Sequence, residues 1–184
     1  MRKNVWLYGV IAGIILAFGI FISFVYSDHI DFDKGMYFGY AMMLLAFSLI
    51  FVGVKNYRDK YNNGVISFGK AFRIGLFITL IASSFYVISW LIDYYYFILD
   101  FANKYAAHTL EKLKASGVSA AEISRQAAAM ESFKTMYKNP FFNILLTYSE
   151  ILPVGLLLSL VSALVLKKKN TRDNQLPTQK ASGI

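Results

Sequence analysis

One ionisable residue lies inside a long apolar stretch, and it is the place where this chain could do chemistry. Glu150 is the only charged residue between Phe141 and Leu166, and in a helix it lies roughly 13 Å from Phe141. A carboxylate at mid-membrane costs about 2.5–3.5 kcal/mol, so it is expected to face a protein interior and to be paired or protonated. Pro153 removes the hydrogen bond to the carbonyl of Ser149 and bends the helix. A carboxylate beside a freed carbonyl at a proline-broken helix is typical of ion and substrate sites.

Two other interpretations of Glu150 stay open. A protonated carboxyl can bond to a hydroxyl on a neighbouring helix and lock the bundle; the candidate partners are Ser48, Ser83, Ser84, Tyr86 and Tyr148. Alternatively, the helix starts later in the chain, which leaves Glu150 near the membrane interface.

The remaining ionisable groups offer less chemistry. Asp93 stands beside three tyrosines at the end of an apolar stretch, and we expect it to be solvated at the headgroups. His29 and His108 have no partners at metal-binding spacing, so neither a metal site nor a cofactor is expected. The chain contains no cysteine, which excludes disulfides, thiolate metal sites and a cysteine nucleophile. It also lacks HExxH, GxSxG and P-loop motifs, so we do not expect an enzyme.

Four long apolar stretches must position these residues: 5–26, 36–54, 74–92 and 141–166. A helix of about 20 residues crosses the ~30 Å hydrocarbon core of a bilayer. The chain is 57% hydrophobic, with these residues in continuous blocks that a water-facing surface would not tolerate. The sequence therefore predicts an all-α polytopic membrane protein with four transmembrane helices. The first stretch is too long for a signal peptide, and we interpret it as a retained anchor.

The distribution of Lys and Arg predicts how the chain is threaded. The net charge is +8, and the basic residues concentrate near the N-terminus, in the 55–73 loop and after Leu166. The 27–35 loop has one lysine against three aspartates. By the positive-inside rule both termini and the 55–73 loop face the cytoplasm. Anionic lipid explains the excess charge, so nucleic acid is not an expected partner.

The 93–140 segment predicts a helical hairpin outside the membrane. Apolar residues recur at helical spacing on both sides of Gly117, which is a plausible helix stop. Ser119 and Glu122 form a capping-box pattern, and Asn139-Pro140 ends the second stripe. We predict a hairpin over 94–138, its first arm continuous with the third transmembrane helix. Tyrosines at the helix ends are interpreted as membrane-interface belts, with an aromatic ligand cage as the rival interpretation.

Small residues predict where helices pack. Gly155, Ser159 and Ala163 recur every four residues and lie on the helix face opposite Glu150. Gly9 and Gly13 form a GxxxG pattern in the first apolar stretch. Such patterns fit packing within the chain at least as well as dimerisation. We expect one membrane domain over 1–169 and a disordered cytoplasmic tail over 170–184, because the tail is polar and contains Pro177.

Three motifs resemble a family of small bacterial inner-membrane proteins known as domain of unknown function 4199. They are the 64–72 segment GVISFGKAF, the 138–140 segment KNP, and the 150–155 segment EILPVG running into Ser159 and Lys167–Lys169. The similarity spans roughly 5–169. The resemblance implies a four-helix inner-membrane architecture and no known activity.

The leading functional hypothesis is a non-enzymatic accessory or scaffold protein. Its hairpin or small-residue faces would engage an envelope protein or a second copy of the chain. The alternative is a small transporter or channel component that uses Glu150 at the Pro153 break.

Overall fold

The computed structural model describes residues 1–25 and 32–168, and within these ranges the chain is helical. One isolated antiparallel bridge, between Ile66 and Lys168, is the only strand-like pairing of the described residues. The all-α prediction is confirmed. In chain order the helices are α1 (Arg2–Val25), α2 (Phe32–Tyr61), α3 (Phe68–Ile92), α4 (Phe101–Ala115), α5 (Ala120–Tyr137) and α6 (Pro140–Leu166).

Four regions are long and apolar enough to cross a membrane, and they coincide with the four predicted stretches: Arg2–Ser23, Phe32–Tyr61, Phe68–Phe97 and Pro140–Leu166. Helix α2 continues to Tyr61, two turns beyond the apolar stretch. The apolar pattern marks only the part that matches lipid, whereas the helix continues through polar residues because its backbone hydrogen bonds do not depend on the surroundings. The predicted division into a domain and a tail stays a prediction, and 170–184 lies outside the described residues.

Most helix boundaries are set by local signals that the sequence displays. The side chains of Ser67 and Ser119 accept hydrogen bonds from the third residue of α3 and α5 respectively, and Asn139 caps α6. These caps satisfy backbone donors that a helix leaves free at its first turn. Gly117 has a φ of +73°, a conformation that glycine adopts without a steric cost. The turn at Gly117 therefore separates α4 from α5 as predicted.

The predicted capping box is only half formed. Ser119 Oγ accepts from Glu122 N, but the Glu122 carboxylate accepts hydrogen bonds from Gln126 and Arg125. These donors lower the pKa of Glu122, because they stabilise its charged form. Glu122 therefore supports the first turns of α5 through its own helix.

Helix α3 is the centre of the bundle, and small residues let its neighbours approach it. A Cβ built at Gly9 would lie 2.9 Å from Ile81, and one at Gly13 would lie 2.6 Å from the Phe85 ring. Both distances are too short for a real contact, so the GxxxG pattern of α1 packs within the chain against α3. This supports intramolecular packing over dimerisation for α1.

The small-residue face of α6 also packs against α3. Ser159 is fully buried, and its Oγ lies 3.1 Å from Thr79 Oγ1 on α3. A Cβ at Gly155 would overlap Thr79 and approach Phe47 of α2 to 3.0 Å. Ala163, one turn further along, is fully buried as well. At this level α2, α3 and α6 are tightly packed.

Polar contacts close the end of the bundle at which α1 begins and α6 ends. Asn4 of α1 donates to the carbonyl of Gly53 and accepts from Asn56 of α2. Ile66 and Lys168 exchange two backbone hydrogen bonds of 2.9 and 2.8 Å. The loop before α3 and the end of α6 are therefore fixed to each other.

The hairpin is present, but its first arm is not continuous with α3, and that prediction is wrong. After Ile92 the chain forms a π-helical turn, Asp93–Phe97, closed by a 2.8 Å hydrogen bond from Ile98 N to Asp93 O. Ile98 then leaves the helical region, with φ −114° and ψ 57°. The break lets Phe101 of α4 return onto Trp90 of α3, edge to face at 4.9 Å. This ring packing favours a bent arm, and the apolar stripe does not reveal it.

Helices α4 and α5 run antiparallel. Phe101 lies 6.0 Å from Tyr137, and Tyr105 lies 5.8 Å from Phe133, measured between ring centroids. Ala102 of α4 is buried beneath these rings. The hairpin is thus an ordered unit with its own small aromatic core.

Candidate functional site

A large cavity separates the N-terminal part of α2 from α3 and α6, and α4 covers it. Its volume is about 1000 Å³, which falls at the upper end of the range for small-molecule sites. We call it the roofed cavity; residues from all six helices line it, among them Leu16, Gly39, Tyr86, Tyr105, Phe133 and Glu150.

The way α2 packs explains why the cavity exists. Its fully buried residues all lie from Met43 onward, in the half that contacts α3 and α6. The 32–42 half has no fully buried residue, although this helix is described throughout. A Cβ built at Gly39 meets nothing within 4 Å. The bundle is therefore closed in one half and open in the other, beneath α4.

Glu150 lies on the wall of the roofed cavity, on the opposite side of α6 from the buried Gly155 and Ser159. Its side chain makes no hydrogen bond with the described part of the chain. Three of the five hydroxyls proposed as its partners bond elsewhere, because Ser84 contacts Tyr148 at 2.9 Å and Ser48 donates to the carbonyl of Leu45. Of the other two, Ser83 Oγ is buried without a partner among the described residues, and Tyr86 lines the cavity. Glu150 is thus an open carboxyl at a cavity and does not lock helices together here.

Pro153 does not interrupt α6, which runs from Pro140 to Leu166 as one helix. Loss of one backbone hydrogen bond is tolerated because the flanking bonds of the helix remain. The predicted helix break beside Glu150 is therefore absent. A ligand would reach the Glu150 carboxyl through the roofed cavity, because no segment of α6 is unwound beside it.

Asp93 is the site residue that the sequence interpretation missed. It is only 7% exposed and lines the roofed cavity, so the expectation that it is solvated at the headgroups is wrong. The π-helical turn that begins at Asp93 turns its side chain inward. No local sequence pattern announces this turn.

Two residues close to Asp93 in the chain, Trp90 and Tyr94, belong to an aromatic cluster. Trp90 Nε1 donates a 2.9 Å hydrogen bond to the Tyr137 hydroxyl, and Tyr94 packs edge to face on Tyr137 at 5.1 Å. Tyr94 and Tyr137 are both buried, so neither is a belt residue, whereas Tyr96 is exposed as a belt residue would be. Burial raises the pKa of Tyr137, the Trp90 donor lowers it, and the nearby Glu150 carboxylate raises it. Glu150 is therefore close enough to influence this cluster.

Helix α4, which forms the roof of the cavity, is attached to α2 by an ion pair. Lys112 Nζ of α4 lies 2.8 Å from Asp33 Oδ2, and His108 Nε2 lies 3.8 Å from Asp33 Oδ1. The His108 ring also packs on Phe32, with 5.2 Å between centroids. His108 therefore has an acidic neighbour, whereas His29 lies outside the described residues. Within the described ranges no group of three His, Asp or Glu side chains could hold a metal ion.

The fold and the site define the class. Four helices of this length and apolarity, with a cavity between them, indicate a multi-pass membrane protein. The model of the family described as protein of unknown function, DUF4199, matches residues 7–168. The chain belongs to this family, which confirms the resemblance carried by its motifs. No curated protein and no solved structure matches the chain.

Proposed function

We propose that this protein is a non-enzymatic binding protein of the bacterial inner membrane that holds a small amphipathic molecule in the roofed cavity. The observation that carries the proposal is the cavity itself, about 1000 Å³ between helices that pack tightly elsewhere. A mostly apolar cavity of this size is an expected place for a small-molecule ligand.

The cavity wall supports an amphipathic ligand. Most of the lining is apolar, including Leu16, Met42 and Leu146, while acidic and hydroxyl groups occupy part of the wall. Tyr40 and Leu146 are exposed at the edge between α2 and α6. At this edge the apolar tail of a ligand can extend into lipid, while the polar group of the same ligand stays inside the cavity.

The proposed orientation follows from charge. Basic residues cluster at the closed end of the bundle, as in Arg58, whose guanidinium also reaches the carbonyl of Leu166. The positive-inside rule places this end in the cytoplasm and the hairpin outside. Reporter fusions after Tyr61 and after Gly117 should therefore report opposite sides. Fusions that report the same side would contradict the orientation.

A cavity-filling substitution tests binding directly. Gly39→Leu places a side chain in the open space of the cavity, whereas Gly69→Leu, also without neighbours within 4 Å, lies at the start of α3 and away from the cavity. We expect native mass spectrometry of protein extracted from membranes to show a bound amphiphile in the wild type and in Gly69→Leu. Gly39→Leu should lose it. Equal retention in both variants would refute the proposal.

Transport, the alternative expected from Glu150, receives less support. The cavity ends where Phe47, Gly155 and Thr79 meet, so a path through the bundle requires separating the most tightly packed helices. Glu150→Gln should therefore leave vesicle uptake of solutes at the wild-type level. A loss of uptake in this variant would favour a carrier.

A scaffold role is the second candidate, and one observation favours it. Helix α5 exposes small residues at helical spacing, Ala121, Ser124, Ala128 and Ser132, a face that lets another helix approach closely. A photo-crosslinking residue at Ala128 should then capture a second copy or an envelope protein in membranes. The same residue at the buried Ala106 serves as the control. No product at Ala128 beyond this control would reject the scaffold role.

A further inference from the structure

The charges of the roofed cavity are separated by depth. All of its basic residues, Lys104, His108 and Lys112, lie on α4 in the roof, and Lys112 pairs with Asp33 at the rim. Below the roof the charged lining residues are Asp93 and Glu150. The part of the cavity enclosed by membrane helices is therefore acidic.

Asp93 has no positive partner among the described residues, and its carboxylate is open to the roofed cavity. It is 7% exposed, its backbone N–H bonds within α3, and its carboxylate accepts no hydrogen bond from the described residues. An ionised carboxylate buried in this way is costly unless a cation or donors compensate it. The nearest indole donor, Trp90, is already engaged by Tyr137.

Aromatic faces complete the environment of the two carboxylates. Tyr86 lies two turns below Asp93 on the same helix, about 10 Å away by helix rise, and Trp90 lies between them. Tyr86, Trp90 and Tyr137 all line the cavity. Carboxylates together with the faces of Trp and Tyr are the groups that proteins use to hold organic ammonium ions.

We propose that the roofed cavity is selective for a hydrophobic organic cation, an ammonium group carrying an alkyl tail. The ammonium lies in the acidic part of the cavity, which Asp93 and Glu150 line together with these rings, and the tail leaves between α2 and α6 toward lipid. This assignment rests on the proposed function, because it specifies the chemistry of the ligand that the same cavity holds.

The fluorescence of Trp90, which lines the cavity, reports ligand binding. The chain has two tryptophans, and the other, Trp6, is exposed on α1 and does not line the cavity. The full chain with Trp6→Phe, in phosphatidylcholine nanodiscs, is titrated with dodecylpyridinium, which quenches indole fluorescence on contact. Saturable quenching is expected. The Trp90→Phe protein, with Trp6 as its reporter, should show only the gradual quenching of partition into the bilayer.

A competition experiment tests whether the ligand must carry a positive charge. Dodecyltrimethylammonium should displace dodecylpyridinium at a concentration about tenfold lower than dodecanol, the effect of one charge-assisted contact. Asp93→Asn combined with Glu150→Gln should weaken dodecylpyridinium binding by about tenfold or more. Asp59→Asn removes an acidic group that pairs with Arg58 outside the cavity, and it should leave binding unchanged.

The outcomes separate the two proposals. Saturable quenching with equal displacement by the cation and by dodecanol would overturn the cation assignment and leave a general amphiphile site. Absence of saturable quenching would overturn both. The competition uses an unaltered cavity, so it decides the assignment even if the double variant fails to fold.

Discussion

Gly155→Ala is expected to destabilise the closed half of the bundle through one methyl group. The added Cβ overlaps the Thr79 methyl group and lies 2.9 Å from Thr79 Oγ1 and 3.0 Å from Phe47 Cζ. Thr79 and Phe47 are fully buried, so neither side chain has free space in which to turn away. Helix α6 must therefore shift away from α3, which strains the contact between Ser159 of α6 and Thr79 of α3.

The magnitude follows from two opposing effects. Overpacking of a full core costs about 1–3 kcal/mol, while replacing a helical glycine by alanine gains up to about 1 kcal/mol in helix propensity. Gly39→Ala has the same propensity gain and no neighbour within 4 Å. The difference between the two variants thus isolates overpacking, and we expect the equilibrium constant for unfolding to be about 5- to 150-fold higher in Gly155→Ala than in Gly39→Ala.

Reversible unfolding in mixed micelles, followed by circular dichroism, measures this difference. Adding Thr79→Ser to Gly155→Ala removes the overlapping methyl group and keeps the hydroxyl that bonds Ser159. Part of the lost stability should then return. Equal stability of Gly155→Ala and Gly39→Ala would refute the close packing of α3 and α6 at this level.

Three further predictions concern the hairpin. Asp33→Asn removes the ion pair between α2 and α4, which is weak at an exposed site, and should raise hydrogen exchange in α4 but not in α5. Tyr137→Phe leaves the Trp90 indole donor without its partner, at a cost of about 1–3 kcal/mol, so it should lower the thermal midpoint and change Trp90 fluorescence. The lowered pKa of Glu122 means that its stabilisation of α5 is present above the unfolded pKa of about 4.3 and is lost as the pH falls through the folded value. Helicity in circular dichroism should therefore fall further on acidification in the wild type than in Glu122→Gln.

Much of the fold could be predicted from the sequence. The apolar stretches located the four long helices, and Ser119 and Gly117 marked helix boundaries. These signals act over a few residues, through backbone donors that need a cap and through backbone angles that glycine adopts readily. They do not depend on how the helices meet, so they can be recognised without a structure.

The candidate site could be predicted only in part. Glu150 stood out because a carboxylate is costly among apolar residues. Asp93 did not, since its burial depends on a π-helical turn and on rings brought from α4 and α5. The open space at Gly39 has no sequence signal either, because the glycine pattern Gly35–Gly39 resembles the pattern that packs tightly at Gly9.

The sequence alone determined that four helices match a bilayer in length and that one of them contains a carboxylate among apolar residues. The tertiary structure decided what surrounds that carboxylate. Lys112 meets Asp33 across 79 residues of sequence, and Trp90 meets Tyr137 across 47; these contacts bend the hairpin over the bundle and create the roofed cavity. The physical reason is the sequence separation of the residues involved. Apolar length and capping depend on residues close together in the chain, whereas a cavity depends on how residues far apart in the chain pack.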